Sequence, residues 1–383
     1  MKGFKNVNAY IHGKGIINTS IAIENGKIVC VGDCADKITE AFEVSPDAIV
    51  LPGFIDQHIH GAGGADTMDG TTKDISTIAN AIASEGVTGF LATTMTQSPE
   101  NILTAMRAVK EYRDNKPSDG AEVLGVHLEG PFISPKHIGA QPKGYLAVPE
   151  IEVMDEYIKA SGNAVKMVSL APELDGAEEF IRHLDKQGII ASIGHTDAGY
   201  DQVEKSIAWG MKNVTHTFNA QKGLHHREVG TVGAALLFDE LTCEAICDCV
   251  HLSVPAIKII LKNKPKDKVC LISDAMRAKH LADGEYDLGG QKVIVKNGEA
   301  RLPDGTLAAS TLKMNVAIKN VVTRAGAKFE DAVDCATINP AKNLSLDNIM
   351  GTIEQGKLAN FAVLNSEYDV MLTVREGNVI YSK

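Results

Sequence analysis

Val123-Leu124-Gly125-Val126-His127-Leu128-Glu129 is a short apolar run that ends on a carboxylate. Seven other stretches share its character: Phe54 to His58, Val87 to Thr93, Val165 to Leu170, Ile189 to Ile193, Asn213 to His216, Leu241 to Cys247 and Val269 to Ser273. Helical patterns fill the gaps, as in Lys73 to Ser84, Glu100 to Arg113, Glu152 to Ala160, Ala177 to Lys186 and Ala256 to Lys262. Strand and helix in alternation call for a parallel sheet with right-handed crossovers, and eight repeats fit a closed barrel. The expected class is therefore α/β, a (β/α)8 TIM-type barrel.

Outward from the barrel, both chain ends read as β-structure. Ser20 to Ile23, the turn Asn25-Gly26, Lys27 to Gly32 and Ala48 to Leu51 lie at one end. Phe361 to Leu364, Val370 to Val374, the turn Gly377-Asn378 and Val379 to Tyr381 lie at the other. Asn-Gly and Gly-Asn between apolar runs are hairpin signals, because both residue types tolerate positive φ. We expect residues 1–50 and 345–383 to form one small β-domain and residues 51–344 the barrel. Asp283 to Gly305 looks like a hairpin inserted on the active-site face, and Leu312 to Arg324 and Glu330 to Ile338 like helices that close the barrel.

A chain of 383 residues that is 44% hydrophobic can bury one large core and a smaller one. Its formal charge of -11 argues against nucleic acid or an anionic membrane as partner, since both need a broad positive field. A phosphorylated ligand would need locally placed positive charge. The start, Met1 to Asn6, lacks the apolar stretch of a signal peptide, and no later run approaches a membrane span, so the expectation is a cytoplasmic protein. Seven cysteines, an odd number without a Cys-x-x-Cys pair, fit reduced thiols. Cys247-Asp248-Cys249 sits in an apolar run and reads as core before it reads as a metal motif.

The chemistry lies where strands end. His58 and His60 close the first strand, Glu129 the third, His195 the fifth, His216 the sixth and Asp274 the eighth, and TIM-barrel enzymes carry their sites at these C-terminal ends. A lone histidine is more often a satisfied core residue, but six such groups at corresponding strand ends point to one centre. His58 and His60, two residues apart on a strand, face the same side, and two histidines with a carboxylate and an open position make a catalytic zinc arrangement. His127 lies one pleat deeper than Glu129 and reads as packing or as support for a ligand. Asp274 is placed to take a proton from activated water and pass it to a leaving nitrogen; its ordinary alternative is a helix cap.

Pro52-Gly53-Phe54-Ile55-Asp56-x-His58-x-His60, Asn339-Pro340-Ala341-x-Asn343 and Gly351-x-Ile353-x-x-Gly356-Lys357-x-Ala359-Asn360 resemble the amidohydrolase superfamily. Within it, His127-Leu128-Glu129-Gly130-Pro131-Phe132, Gly194-His195-Thr196, Thr215-His216-Thr217-Phe218-Asn219-Ala220 and Ser273-Asp274-Ala275 are similar to the N-acetylglucosamine-6-phosphate deacetylases. The similarity runs along essentially the whole chain, in family order.

The resemblance implies a barrel with a small β-sandwich domain, a homodimer, metal ligands Glu129, His195 and His216, and Asp274 as general acid/base. It also implies sugar-phosphate contacts from Ala140, Gln141, Asn219, Ala220, Arg227, Asp248, His251, Leu307, Ala308 and Ala309, with Arg227 reaching the phosphate in the neighbouring subunit. Gln141 stands where some members carry histidine, which removes a charged sugar contact there but leaves a carbonyl and an amide. His58 and His60, which some members lack, allow a second ion bridged by Glu129. Zinc leads as the divalent metal, one or two ions per subunit, and imidazole ligands also suit iron.

The reaction expected is hydrolysis of the acetamide of N-acetylglucosamine-6-phosphate by a metal-activated water. Three alternatives remain: the galactosamine epimer as substrate, a cyclic-amide hydrolase of the same superfamily, and a non-catalytic barrel scaffold. The cyclic-amide type uses a modified lysine at the end of strand four, whereas here Lys166 lies near its start and the end reads Leu170-Ala171-Pro172-Glu173.

Overall fold

The computed structural model describes all residues, 1–383. Eight strands pair in parallel: β1 Phe54–Ile59, β2 Val87–Thr94, β3 Glu122–Glu129, β4 Val165–Leu170, β5 Ile190–Ile193, β6 Met211–Val214, β7 Thr242–Ala245 and β8 Val269–Leu271. Closure comes just beyond the strand ends, where the Asp274 N–H donates to the His58 carbonyl (2.8 Å) and the His60 N–H to the Ala275 carbonyl (2.9 Å). The ring therefore closes with the very residues that reach the mouth.

Eight helices follow the strands: α1 Thr72–Ala83, α2 Pro99–Asp114, α3 Ile151–Ala160, α4 Ala177–Lys186, α5 Tyr200–Trp209, α6 Gly230–Leu237, α7 Val254–Asn263 and α8 Met314–Thr323. Their starts are written in the sequence where a hydroxyl caps them: Thr71 accepts from the Asp74 N–H, Ser98 from Asn101 and Ser253 from Ala256, with Pro99 opening α2. The two helices absent from the sequence pattern, α5 and α6, lack such a cap. α6 is also buried almost all round and contains Gly230 and Gly233, so it shows no helical stripe.

The chain ends form one sheet in the order Asn378–Ser382, Val370–Arg375, Phe361–Leu364, Ile49–Pro52, Lys2–Ile11, Gly15–Glu24 and Lys27–Gly32. Phe361–Leu364 pairs antiparallel with Ile49–Pro52, which joins the two ends. Phe4, Ile21, Ile28, Val50, Phe361 and Val374 share a core separate from the barrel's. Lys2–Ile11 is not legible as a strand because a bulge between Phe4 and Val7 breaks its alternation. The last hairpin turns at Glu376-Gly377 (φ 46° and 73°), one residue before the expected Gly377-Asn378, since Asn378 already pairs with Arg375. The insert is a three-stranded sheet, Gly284–Leu288, Gln291–Lys296 and Glu299–Arg301, one strand more than the expected hairpin. It packs Leu288, Val293 and Val295 on Met95 and Met276.

One buried charge group ties the barrel wall together. Glu85 forms an ion pair with Lys279 Nζ (2.8 Å) and accepts from His280 Nε2 (2.7 Å) and the Met314 N–H (2.9 Å), and both Glu85 and Lys279 are fully buried. Burial pushes the Glu85 carboxyl up, but the charge of Lys279 and the His280 bond outweigh it and hold the group below its usual 4.5. A carboxylate depressed in this way contributes stability that is present above the unfolded value and lost as pH falls below it. Glu85→Gln leaves Lys279 without a counter-charge, and we expect a loss of about 3–5 kcal/mol in urea unfolding at neutral pH. The gap between wild type and variant should shrink as pH drops below about 4.5; a gap that is small at neutral pH contradicts the assignment.

Candidate active site

Each functional side chain sits at or just past a strand end. His58 lies on β1 and His60 one residue beyond it, Glu129 is the last residue of β3, and His195, His216 and Asp274 follow β5, β6 and β8 within three residues. His195 (φ 47°), His216 (φ 30°) and Asp274 (φ 48°) adopt left-handed backbone that non-glycine residues rarely occupy, and such strain concentrates at sites whose geometry is held from outside. Gly130 allows the turn after Glu129: at φ 72°, a Cβ there would meet Thr96 Oγ1 at 2.1 Å.

Glu129 is the centre. Its Oε1 lies 3.0 Å from His216 Nε2, 3.4 Å from His195 Nε2 and 3.5 Å from His58 Nε2, and its Oε2 lies 3.2 Å from His60 Nε2. Asp274 Oδ1 is 3.4 Å from His58 Nε2 and 3.3 Å from His60 Nε2. All six residues are buried. Burial pushes the Glu129 carboxyl up, yet the surrounding imidazoles hold it well below the carboxylate range. Asp274 is lowered to about 2, its burial outweighed by the charge of His58 and the contact with His60.

The donor chemistry fits a divalent cation. His195 Nε2 and His216 Nε2 converge at 3.1 Å beside a carboxylate, and the hydrogen that His195 Nδ1 donates to the His137 carbonyl (3.0 Å) leaves a lone pair on Nε2 of the neutral ring, as a metal ligand needs. Ligands about 2.1 Å from a tetrahedral zinc stand roughly 3.4 Å from one another, the range of these spacings. Glu129, His195 and His216 form one group able to hold an ion, and His58, His60 and Asp274 form a second.

A pocket of about 220 Å³ opens over these atoms. Of the sequence-expected contacts, Ala140, Gln141, Asn219, Ala220, His251, Leu307 and Ala309 line it, together with Leu288 from the inserted sheet. Three do not. Ala308 is buried in the insert's core. Asp248 stands behind the pocket, its carboxylate taken by His251 Nδ1 (2.6 Å) and by the N–H groups of Val250 and His251. Arg227 is exposed, with Nη1 2.8 Å from His226 Nε2. Gln141 has a role that the sequence did not disclose: Nε2 donates to Glu129 Oε2 (2.7 Å) and Oε1 accepts from the Thr96 N–H (2.8 Å). His127 points its Nε2 at Ser169 Oγ (2.7 Å), and burial pushes its ring down to about 3, so it stays neutral. Sequence reading missed Glu244 on β7, although a lone carboxylate inside the run Leu241 to Cys247 was a visible signal.

The model of the Amidohydrolase family matches residues 49–380. The chain belongs to the amidohydrolase family. Among amidohydrolases it is similar to the N-acetylglucosamine-6-phosphate deacetylase of Bacillus subtilis, 39% identical over 98% of this chain and 96% of the relative. It is also similar to the N-acetylgalactosamine-6-phosphate deacetylase of Escherichia coli O157:H7, 35% identical over 94% of each. The solved N-acetylglucosamine-6-phosphate deacetylase of Thermotoga maritima superposes with a TM-score of 0.90 over all of both chains at 36% identity. As expected for this amidohydrolase, no lysine ends β4: Lys166 is its second residue, and Glu173 beyond it bonds Thr196 Oγ1 (2.5 Å) and the Asp197 N–H (2.6 Å). The lysine-bridged cyclic-amide reading therefore has no support in the site.

Proposed function

We propose that this amidohydrolase hydrolyses the acetamide of N-acetylglucosamine-6-phosphate to glucosamine-6-phosphate and acetate. The observation that carries the reading is the convergence of His195 Nε2, His216 Nε2 and Glu129 Oε1 within 3.0–3.4 Å of one another at the floor of a pocket that Asp274 also lines. Near full-length similarity to deacetylases of phosphorylated amino sugars supports it.

Glu129, His195 and His216 would hold the divalent ion, zinc first, and His58 and His60 would complete a second site. Such an ion supplies Lewis-acid polarisation of the amide carbonyl and lowers the pKa of a water. Asp274, ionised at neutral pH, takes the proton of the attacking water on its carboxylate and returns it to the departing amine. Ala140, Asn219, Ala220, His251 and Leu307 would orient the sugar. Residues 51–344 would form the catalytic barrel and 1–50 with 345–383 the sheet domain, in an enzyme whose seven cysteines suit a reducing cytoplasm.

Arg227 would meet the phosphate of a neighbouring subunit in a homodimer, which explains why it stands outside its own pocket. Removing a charge-assisted bidentate contact costs about 1.5–3 kcal/mol. Arg227→Ala should therefore raise KM roughly 10- to 100-fold with little change in kcat. Mixing R227A with D274N subunits should regenerate one intact site per mixed dimer and restore activity; no restoration argues against a shared site. The functional assignment is tested by acetate release from both epimeric sugar phosphates and from their unphosphorylated forms, with elemental analysis alongside. Preference for the galactosamine epimer would move the substrate to that of the Escherichia coli relative, and no release from any of them would reject the reading.

A further inference from the structure

Glu244 lies on β7 with no exposure to solvent, beneath the floor of the pocket. Its Oε1 accepts from Gln57 Nε2 (2.7 Å), and its Oε2 from His58 Nδ1 (3.1 Å) and the His216 N–H (3.3 Å). With His58 and His127 it forms a compact buried group of the kind that can hold a cation. Hydrogen bonding accounts for the carboxylate better, since three donors already occupy it. The other nitrogen of His58, Nε2, has no hydrogen-bond partner and faces Glu129 and Asp274. A neutral imidazole has one N–H and one lone pair, so an acceptor fixed at Nδ1 decides what Nε2 presents.

We infer that Glu244 is a positioning residue for the metal centre: by accepting the Nδ1 hydrogen of His58 it fixes the ring in the tautomer whose Nε2 lone pair points into the site. Gln57 anchors the other oxygen of the carboxylate, and Gln57 Oε1 is itself held by Asn343 Nδ2 (3.1 Å), so the arrangement runs from the helix Ile338–Asn343 to the ligand. This rests on the reading of His58 as a metal ligand.

The test is a competition titration with zinc and a chromogenic chelator on wild type, Glu244→Leu, Glu244→Gln and His58→Ala, with 15N spectra of the histidine rings in the zinc-loaded protein. Glu244→Leu removes both acceptors and should weaken zinc binding about 10- to 100-fold, the usual effect of losing a carboxylate behind a ligating histidine. Glu244→Gln keeps one oxygen and should recover part of that loss, which a purely structural role would not produce. Wild type should show a slowly exchanging hydrogen on His58 Nδ1. If Glu244→Leu does not fold, that spectrum decides alone, and a hydrogen on Nε2 overturns the inference. Unchanged zinc affinity in Glu244→Leu with weakened affinity in His58→Ala overturns it while sparing the ligand reading; unchanged affinity in His58→Ala removes both.

Discussion

Replacing Asp274 by Asn should cut turnover by about 10²- to 10⁴-fold, the range that general acid–base catalysis contributes, and leave in place the ion expected at Glu129, His195 and His216. The substitution conserves shape, so the contacts that Oδ1 makes with His58 Nε2 (3.4 Å) and His60 Nε2 (3.3 Å) can still form. What it removes is the ability to carry a proton. Asp274 is well suited to that task, because burial works to raise its pKa but the charge of His58 and its contact with His60 bring it down to about 2. As a carboxylate it can accept a proton, and it lines the pocket above the candidate ligands. Its backbone is also doubly tied, N–H to the His58 carbonyl (2.8 Å) and carbonyl to the Ser310 N–H (2.7 Å), so the position of the group does not depend on its charge. Single-turnover rates and elemental analysis on the same preparation check the prediction. Near-normal turnover in the variant would remove Asp274 from the chemistry.

The parts of the site that the sequence disclosed are those fixed by strand geometry. A buried parallel strand turns a run of apolar residues into a marker, and the histidines and carboxylates at or just past its end, His58, Glu129, His195, His216 and Asp274, mark the mouth. The period of two then put His58 and His60 on one side. What stayed hidden depends on loops and on depth. The left-handed turns at His195, His216 and Asp274 carry no glycine to announce them. Gln141 bonds Glu129 only because the loop after β3 folds back over the strand end, and its position in the sequence is equally compatible with a sugar contact. Glu244 sits inside an apolar run, where a carboxylate looks like a break in the pattern until His58 and Gln57, nearly two hundred residues earlier, are brought against it. Among the helices, α6 was hidden because it is buried on nearly every side, which erases the stripe that marks an amphipathic helix.

The largest effect on the site should come from Glu129→Gln. This carboxylate touches the Nε2 atoms of His58, His60, His195 and His216 within 3.0–3.5 Å, so it belongs to one group of candidate ligands and reaches the two histidines of the other. Glutamine preserves the volume and one oxygen, and Gln141 Nε2, now 2.7 Å from Glu129 Oε2, would face either that oxygen or an amide that repels it. Charge is the decisive loss, since a carboxylate among four imidazoles offsets the cost of bringing a divalent cation into a buried site. We expect the purified variant to contain little or no metal. Turnover should fall on the order of 10³-fold or more, the equivalent of several kcal/mol of transition-state stabilisation withdrawn with the ion. The protein should still fold, because the substitution disturbs the ligand cluster at the mouth and leaves the apolar core of the barrel intact. Metal analysis separates this variant from Asp274→Asn: both lose activity, but only Glu129→Gln should lose the ion. A Glu129→Gln protein that retains a full complement of metal would show that His195 and His216 hold the ion without the carboxylate, and the centre would then have to be redrawn around the histidines alone.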